Sequence, residues 1–587
     1  MNIQTADILR ILSSEPYSDT RTLASETGSG RETVRRGLIQ LKNEGYLDHA
    51  FHLTPEAENE LLASSPKTAV ILAAGFGMRM VPINTAAPKA LLEVRGERLI
   101  DRLIKQLHEA GIEEITVVAG FMKESFEYLI DEFNVDLVIN SEYASGNNLH
   151  SLALVSSRIH NTYIIPCDLW CKNNPFSKHE LYSWYMVSDR FSADSTVRVN
   201  RRKELTPSRG GNRMIGISYL KEPEASTVCE KLQLYDTDGL HVNSFWEDTL
   251  FEKNRMTIYA RAVKDEDVTE INTYEQLREL DSGSHQLKSD AISTIADVFN
   301  CEEEEITDIR VLKKGMTNRS FLFTCRENQY IMRIPGEGTD QLINRRQEYE
   351  VYQAISGHGL CDDPEYFNPD NGYKITRFLK NARTCDPHNE EDLKRCMAKL
   401  REFHAMRLEV SHTFDLFREI DFYESLWQGT PSVYCDYAKT KTNVLSLKAY
   451  IDSMDKDRCL THIDAVADNF LFYDDGSEEE ALQLTDWEYA GMQDPHVDLA
   501  MFCIYSLYSK QECDHLIDLY FEGSCDITVR ARIYCYIAVC GLLWSNWCEY
   551  KRNLGVEFGE YSLRQYRYAK DYYRYANEMV ASLKELK

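Results

Sequence analysis

Three blocks with different spacing of apolar and polar positions follow one another along the chain. Residues 1–63 repeat apolar side chains with helical spacing, whereas residues 67–282 alternate short apolar runs with amphipathic stretches. Residues 286–587 begin with strand-like alternation and continue with longer helical patterns. Polar breaks rich in Ser and Gly separate the blocks at residues 64–66 and 281–285. The pattern therefore predicts three domains joined by two short linkers.

The first block predicts three helices and one short β stretch. They cover residues 5–13, 20–27, 31–44 and 46–53, respectively. This order resembles a winged helix-turn-helix, whose third helix would read DNA with Arg31, Arg35 and Arg36. Residues 1–60, however, carry six Lys and Arg against ten Asp and Glu, which is the wrong balance for phosphate contacts. The charge disfavours DNA binding and leaves a docking or dimerisation module, and hence a homo-oligomer, open.

The second block predicts a doubly wound sheet. Strands at residues 69–74, 115–120, 135–139 and 163–168 alternate with helical stretches at 99–110 and 123–133. Such alternation requires crossover connections, which produce a parallel, Rossmann-like α/β sheet. Ligands of these sheets bind at the carboxyl ends of the strands.

A glycine-containing loop leaves the first strand of this sheet. The chain reads V-I-L-A-A-G-F-G-M-R from Val70 to Arg79, and Pro88 and Lys89 follow. Glycines allow backbone N–H groups to face an anion, and Arg79 and Lys89 supply cations for a triphosphate. An ordinary strand-to-helix turn is the alternative. We predict a nucleotide site with Arg79 and Lys89 as catalytic cations and these further contacts: Leu72, Ala73, Ala74, Gly75, Gly77, Gly120 and Asn147.

An aspartate ends a later strand of the same block. The run from Tyr163 to Asp168 places a carboxylate at the carboxyl edge of the predicted sheet. A carboxylate there suits Mg²⁺, although a strand-end Asp also serves as a turn residue.

The second block resembles the bacterial CTP:phosphocholine cytidylyltransferases. The resemblance rests on the phosphate loop with Pro88-Lys89, on residues 140–143, 146–148 and 151–152, and on the cluster at 246–248. It implies that Asp168 and Glu270 bind the metal and that Trp246 and Glu247 contact phosphocholine. Two features depart from the family. Asn272 stands where relatives carry Asp, and residues 200–213 are shorter than the hairpin that helps enclose choline.

The third block begins with a candidate nucleotide-covering turn. Residues 311–323 alternate like a hairpin around Gly315, Thr317 and Asn318. The next strand carries Arg333, and Glu348 falls on the following helix within reach of that cation. We predict that these side chains and glycine bind the nucleotide.

A second motif in the third block has the spacing of a phosphoryl-transfer site. Asp464 and Asn469 are five residues apart, and Asp486 follows Asp464 by twenty-two. Phosphoryl transfer needs an Asp that accepts the hydroxyl proton, and an Asn and an Asp that hold metal ions on the phosphates. We assign these roles to Asp464, Asn469 and Asp486, in that order, against the alternative of unrelated loop carboxylates.

The third block resembles the choline kinase and aminoglycoside phosphotransferase group, and thus implies a protein-kinase-like α+β fold. Arg333 departs from the Lys of most kinases and keeps the charge with a bidentate geometry. Trp544, Trp547 and Tyr550 recur at three-residue spacing, a pattern typical of a helix core. The resemblance implies instead that they form a choline pocket with Glu488 and Tyr489, since a quaternary ammonium is bound by π faces and a carboxylate.

Bulk properties restrict the class of protein. The net charge of −28 argues against a general binder of nucleic acid or anionic membranes. We read no apolar run approaching the ~20 residues of a membrane span, and no charged-then-apolar leader. The 16 cysteines include no C-x-x-C pair, which fits a reducing cytoplasm better than a zinc site or a disulfide framework.

The two resemblances together imply consecutive reactions in one multidomain chain. An ATP-dependent kinase would make phosphocholine, and a CTP-dependent transferase with Mg²⁺ would convert it to CDP-choline and pyrophosphate. One alternative is an ethanolamine-type kinase fused to a sugar-phosphate nucleotidyltransferase. Another is a transcriptional regulator whose enzyme-like domains only sense nucleotides.

Overall fold

The chain folds into two compact units in a computed structural model. It describes residues 1–75, 80, 82, 88–143, 146–252, 256–284, 287–312, 318–336, 343–477, 479–553, 556 and 558–585. The first unit comprises Met1–Ser293 with Ile309–Val311, and the second comprises Thr294–Asp308 and Leu312–Lys587. The first unit thus contains both the first and the second predicted domains, and the boundary between these two stays a prediction.

The amino-terminal part of the first unit is helical. Its helices are α1 (Ile3–Ser14), α2 (Thr20–Glu26), α3 (Arg31–Asn43) and α4 (Pro55–Ala63). The first three are the predicted helices, whereas the expected β stretch is reduced to one bridge between Leu47 and Leu53. Helix α4 was not predicted, although Thr54 caps it through the Ala57 N–H and Pro55 occupies its first turn.

The predicted first linker is packed rather than free. Ser64 is buried, its carbonyl accepts from the Glu180 N–H at 3.3 Å, and its hydroxyl accepts from Lys221 Nζ at 2.9 Å. The Tyr182 hydroxyl donates to Asp7 Oδ1 of α1 at 2.5 Å. The helical part therefore docks on the α/β part through specific polar contacts.

A seven-stranded sheet organises the rest of the first unit. Its elements are β1 (Thr68–Ala73), β2 (Glu93–Val94), β3 (Glu97–Arg98), α5 (Leu99–Glu109), β4 (Glu114–Ala119), α6 (Tyr128–Phe133), β5 (Asp136–Ile139), α7 (Asn148–Ala153), β6 (Thr162–Pro166), β7 (Leu169–Cys171), β8 (Trp184–Ser192), β9 (Val197–Val199), β10 (Leu205–Pro207), β11 (Gly211–Leu220), α8 (Glu224–Thr237), β12 (Tyr259–Val263), β13 (Val268–Glu270) and α9 (Tyr274–Leu280).

The sheet is parallel on one side and mixed on the other. Its order is β12-β8-β11-β6-β1-β4-β5, and β6, β1, β4 and β5 are mutually parallel as predicted. The parallel part of the sheet ends at β11, which runs antiparallel to β6 and β8. No helix crosses over between β8 and β11, so the chain returns in the opposite direction. The predicted helix over 123–133 is divided into a 3₁₀ turn, Lys123–Phe126, and α6.

Alternating side chains of β1 enter two cores. Ala69, Ile71 and Ala73 pack on one face of the sheet, while Val70 and Leu72 pack on the other. A strand buried on both faces belongs to the centre of a doubly wound sheet. The loop that follows β1 is thereby placed at the carboxyl edge.

The second unit joins a small sheet to a large helical region. Its elements, beginning with two that span the division between the units, are α10 (Asp290–Phe299), β14 (Thr307–Val311), β15 (Asn318–Cys325), β16 (Asn328–Pro335), α11 (Arg345–Ile355), β17 (Tyr366–Phe367), β18 (Lys374–Arg377), β19 (Arg383–Thr384), α12 (Glu390–Ala405), α13 (Leu416–Ser425), α14 (Tyr437–Asp452), β20 (Cys459–Thr461), β21 (Phe470–Tyr473), β22 (Ala481–Leu484), β23 (Gly491–Gln493), α15 (His496–Tyr505), α16 (Lys510–Tyr520), α17 (Ile527–Asn553) and α18 (Glu560–Glu585).

Helix α17 is the centre of the helical region. Among the described helices it alone has the length and apolar composition to cross a membrane, and 78% of that apolar window is buried inside the protein. Neighbouring helices supply the burial, because α13, α14, α15 and α18 all pack against it. A helix that is apolar all round is expected in the core of a large unit.

Candidate active sites

Three segments meet beside Asp168 in the first unit. Lys89 follows Pro88 in a 3₁₀ turn, and its Nζ donates to Asp168 and, at 2.6 Å, to Asn272 Oδ1. The Ile271 N–H donates to the Asp168 carbonyl at 2.9 Å because β13 runs antiparallel to β7. The carboxyl edge of the sheet therefore carries a cation held between a carboxylate and an amide.

Glu270 makes different contacts from the ones expected of a metal ligand beside Asp168. It lies opposite Leu169 in the β13–β7 pair, and its carboxylate is 3.7 Å from Arg213. The described contacts bring Asn272, rather than Glu270, to the Lys89–Asp168 pair. The assignment of Glu270 as a ligand stays a prediction.

The predicted nucleotide loop is tightly packed where the structure describes it. The Phe121 N–H donates to the Ala74 carbonyl at 3.1 Å, and a Cβ at Gly120 would lie 2.7 Å from Tyr143 Cβ. Glycine is therefore required where the ends of β1 and β4 approach each other. Asn147 lies in a separate loop, where its amide donates to the Asn243 carbonyl.

Of the other residues predicted to contact the nucleotide, two lie in β1 and the rest follow it in the chain. Leu72 and Ala73 are buried strand residues, and the Leu72 carbonyl accepts from the Cys167 N–H at 3.3 Å. Gly75 lies at the exposed end of the described loop, while Gly77 and Arg79 lie outside the described residues.

The two predicted phosphocholine contacts, Trp246 and Glu247, differ in their surroundings. Trp246 is 1% exposed and packs in the core 6.2 Å from the Tyr185 ring. The Tyr185 hydroxyl donates to Glu247 Oε1 at 3.2 Å, and the buried Oε2 has no partner among the described residues. Burial raises the pKa of Glu247 to about 7. Tyr185 was missed because nothing distinguishes it from other apolar positions of β8.

The catalytic loop of the second unit is anchored by a buried aspartate. Asp498 on α15 accepts from the backbone N–H groups of His462 at 3.0 Å and Ile463 at 2.7 Å, and contacts His404 Nε2 at 3.0 Å. His462 Nε2 lies 2.9 Å from the Thr485 carbonyl. Burial lowers the pKa of His462 to about 4, so it is neutral and donates to that carbonyl. The loop is thus fixed at the two residues that precede Asp464.

The predicted phosphoryl-transfer residues converge. Asn469 Nδ2 donates to Asp464 Oδ2 at 3.0 Å and to its carbonyl at 2.8 Å. Burial, together with the negative charges of Asp486 and Glu488, raises the pKa of Asp464 to about 8. Asp486 adopts a left-handed backbone conformation, with φ of 65°. The site therefore concentrates more negative charge than its own protein neighbours neutralise.

A buried ion-pair group lies on the small sheet. Arg333 binds Glu348 through two hydrogen bonds of 2.5 and 3.0 Å, as the bidentate prediction requires. Lys374 of β18, which sequence reasoning missed, is 3.3 Å from the same carboxylate and donates to the Tyr352 hydroxyl at 2.7 Å. It was missed because its strand carries no recognisable motif.

Asn318, the described residue of the predicted covering turn, reaches the other predicted subsite. Its Nδ2 donates to Glu488 Oε2 at 2.9 Å. Gly315 and Thr317 lie outside the described residues. The structure therefore joins a predicted nucleotide contact to the predicted head-group carboxylate.

An aromatic cluster borders this carboxylate. The Tyr489 and Trp544 rings are perpendicular at 5.9 Å, and Trp544 and Trp547 are 5.5 Å apart. Tyr550 lies farther along α17 and is half-buried. Trp544 and Trp547 are 7% and 6% exposed, so most of each indole belongs to the core.

Three further aromatic residues complete the cluster. Tyr423 lies 6.5 Å from Trp544, Phe558 lies 5.1 Å from Trp547, and Tyr561 lies 6.3 Å from Phe558. Burial raises the pKa of Tyr561, and the charge of Asp464 is among the further causes, which places the ring close to the catalytic loop. Tyr423 and the pair of Phe558 and Tyr561 come from two segments that are distant in the chain, so only the fold brings them together.

Metal ligands are sparse in both sites. Within the described part of the chain, no group of three or more His, Cys, Asp or Glu side chains is arranged to hold a metal ion. Asn469 and Asp486 are oxygen donors beside the negative charge of Asp464, a set that suits a hard cation such as Mg²⁺.

Two family models match separate parts of the chain. Residues 69–180 match the family described as MobA-like NTP transferase domain, and residues 309–518 match the Choline/ethanolamine kinase family. The choline-phosphate cytidylyltransferase of Streptococcus pneumoniae is 28% identical over 228 residues, which are 36% of this chain and 96% of that protein. Protein LicA of Haemophilus influenzae is 28% identical over 269 residues, 43% of this chain and 76% of the relative.

A third relative has a different head group in its name. The 2-aminoethylphosphonate cytidylyltransferase of Lancefieldella rimae is 29% identical over 231 residues, 37% of this chain and 92% of the relative. The chain is a fusion of a cytidylyltransferase-like domain and a choline-kinase-like domain.

Proposed function

We propose that this fusion is a bifunctional enzyme that makes CDP-choline from choline in two steps. The second unit transfers a phosphoryl group from ATP to choline, and the first unit transfers a cytidylyl group from CTP to phosphocholine and releases pyrophosphate. The observation that carries this proposal is that one chain holds two sites whose relatives act in turn on one shared intermediate. A nucleotide sensor would not need the set of Asp464, Asn469, Asp486 and Asp168.

Asp464 is the proton acceptor of the kinase step in this proposal. Its carboxylate is oriented by Asn469, and the anchored backbone at His462 and Ile463 holds it in place. It takes the proton of the choline hydroxyl as the oxygen attacks the γ-phosphorus of ATP. Arg333, fixed by Glu348, offsets charge on the phosphates. Asn469 and Asp486 would hold Mg²⁺, which orients and neutralises the phosphate oxygens.

The cytidylyl step requires no enzyme nucleophile. A phosphate oxygen of phosphocholine attacks the α-phosphorus of CTP in line with the departing pyrophosphate. Lys89, held between Asp168 and Asn272, offsets the charge of the triphosphate together with Arg79. Asp168 would be the principal Mg²⁺ ligand, with Glu270 as a second one.

Aromatic rings and carboxylates provide the head-group selectivity. A trimethylammonium group has no N–H donor, so a π face and a nearby negative charge are the groups that recognise it. Trp544, Tyr489 and Glu488 supply them in the kinase, with Trp547 and Tyr550 behind. Glu247 supplies the carboxylate in the transferase. The aminoethylphosphonate relative makes a primary-amine substrate the second candidate for this site.

Phosphorus NMR of the full chain with choline, ATP, CTP and Mg²⁺ tests the proposal. We expect phosphocholine to appear first and CDP-choline to follow. Phosphocholine without CDP-choline would refute the transferase half, and the absence of both would refute the choline assignment. Ethanolamine in place of choline tests the second candidate. Trp544→Ala should raise the KM for choline far more than that for ethanolamine.

The remaining proposals concern the amino-terminal helices and the compartment. We propose that residues 1–63 form a winged helix that serves as a docking module and does not bind DNA. A gel-shift assay with the full chain tests for DNA binding. We propose a reducing cytoplasm as the compartment, since the 16 cysteines include no C-x-x-C pair.

A further inference from the structure

A single guanidinium links the two predicted subsites of the second unit. Arg345 is the first residue of α11 and is 6% exposed. Its NH1 lies 3.0 Å from Glu348 Oε2 and 3.3 Å from Glu488 Oε2, and its NH2 donates to Asn318 Oδ1 at 3.0 Å. One side chain therefore contacts the carboxylate behind the phosphates, the head-group carboxylate and the covering turn.

Neutralising Glu348 does not by itself require this residue. Arg333 already binds both oxygens of Glu348, and Lys374 lies 3.3 Å from one of them. Beyond Glu348, Arg345 contacts Asn318 Oδ1 and Glu488 Oε2, and that Glu488 oxygen also accepts from Asn318 Nδ2. Its particular position is thus better explained by Glu488 than by Glu348.

The stem of Arg345 is held from behind. Gly372 has φ of +70°, and a Cβ there would lie 3.0 Å from both Cδ and Nε of Arg345. The backbone at Gly372 packs directly on the side chain, so the guanidinium has little room to swing away from Glu488. A rigid planar fork can hold two acceptors at fixed angles, which a lysine ammonium cannot do.

We propose that Arg345 is a positioning residue that couples the nucleotide subsite of the kinase to its head-group subsite. Arg345 orients Glu488 toward the cationic head group. Glu348, on the same helix as Arg345, orients the phosphate-binding Arg333. This inference rests on the proposed kinase function. Nucleotide bound against Arg333 and Asn318 thereby favours the arrangement of Glu488 that binds the alcohol, and the coupling is reciprocal.

The test compares choline binding with and without nucleotide. Choline is titrated calorimetrically into the full chain alone and with ADP and Mg²⁺, for wild type, Arg345→Lys and Arg345→Met. In wild type we expect ADP to tighten choline binding by at least about fivefold, within the usual range of coupling between sites. In both variants the ratio should fall to about one, and the KM for choline should rise more than the KM for ATP.

Arg346→Met is the matched control. Arg346 follows on the same helix and pairs with Asp370 at 2.8 Å, with exposures of 77% and 72%. Its loss should change neither the coupling ratio nor the choline KM. Urea unfolding followed by hydrogen exchange of β16 shows whether the second unit of each variant is folded.

Three results would overturn the inference. They are no coupling in wild type, an unchanged ratio in Arg345→Lys with unchanged choline KM, or a rise in the ATP KM alone. Wild-type activity separates this failure from that of the proposed function. If wild type phosphorylates ethanolamine instead, the same titrations use ethanolamine, and inactivity toward both alcohols overturns both proposals.

Discussion

Glu348 shows at the scale of one residue how a buried charge is tolerated. Its carboxylate is fully buried, and Arg333, Arg345 and Lys374 all lie within 3.3 Å of it. Although burial opposes ionisation, the positive charges of Lys374 and Arg333 lower the pKa of Glu348 to about 2. The anion is therefore the centre on which three buried cations depend.

Glu348→Gln should destabilise the second unit by about 3–5 kcal/mol, because it leaves those cations without their shared partner. Urea unfolding followed by hydrogen exchange of β16 measures the loss. Glu365→Gln breaks an exposed pair with Arg377 and is the control, for which we expect a change below about 1 kcal/mol. Equal effects of the two substitutions would contradict the prediction.

Glu247 should make the stability of the first unit depend on pH. Burial raises the pKa of its carboxyl from 4.5 to about 7. Between these values the unfolded chain releases the proton and the folded chain retains it. The stabilisation from this group is therefore complete below pH 4.5 and is lost as the pH rises through about 7.

Glu247→Gln should remove this dependence. Relative to wild type, the variant should gain up to about 3 kcal/mol in free energy of unfolding between about pH 5 and pH 8. Urea unfolding at both pH values, followed by hydrogen exchange of β8, measures the difference. Glu266→Gln alters an exposed carboxylate 3.5 Å from Lys264 and should leave the pH dependence unchanged. Parallel pH profiles for wild type and Glu247→Gln would refute the assignment.

At the scale of elements, the contact between α17 and α18 depends on one glycine. A Cβ at Gly541 would lie 2.8 Å from the Gln565 carbonyl oxygen and 2.8 Å from Tyr568 Cβ. Glycine is a poor helix former, so its place within α17 is explained by this close approach. The Tyr-rich helix α18 packs on the helical region at this point.

Gly541→Ala should destabilise the second unit by about 1–3 kcal/mol, because overpacking exceeds the gain in helix propensity. Thermal unfolding, together with hydrogen exchange of the α18 amides, measures this loss of stability. Gly283→Ala is the control, since a Cβ there would meet only Asp281 Oδ1 at 3.7 Å. Stabilisation by Gly541→Ala would mean that α18 can move aside without cost.

At the scale of the whole molecule, each unit should work with the other disabled. Asp464→Asn removes the proton acceptor of the kinase, and Asp168→Asn removes the principal metal ligand proposed for the transferase. We expect the first variant to lose at least about a hundredfold in phosphocholine formation and the second a similar factor in CDP-choline formation. Each should retain the other reaction at the wild-type rate.

A mixture of the two variants should make CDP-choline from choline, because free phosphocholine diffuses from one site to the other. Phosphorus NMR measures both products. Failure of the mixture, when each variant alone performs its remaining step, would show that the intermediate must pass within one chain.

Much of this architecture was predictable from local pattern. The helices at α1, α2 and α3, the strands β1, β4, β5 and β6, and the loop from Asp464 to Asn469 all follow from spacing that each segment carries within itself. The antiparallel return of β11 was not predictable, since direction depends on which strand it pairs with. The burial of Ser64 escaped prediction for a similar reason, because the partners are Glu180 and Lys221.

The sequence by itself indicated the two chemistries, because the phosphate loop from Gly75 to Arg79 and the pair of Asp464 and Asn469 each lie at short spacing within one segment. Only the tertiary structure decided which residues surround them. Lys374, Arg345 and Tyr561 come from segments with no motif, and Trp246 is a core residue despite its place beside Glu247. Burial and charge pairing depend on residues that are distant in the chain, whereas a sequence pattern reflects only residues that are close to one another in it.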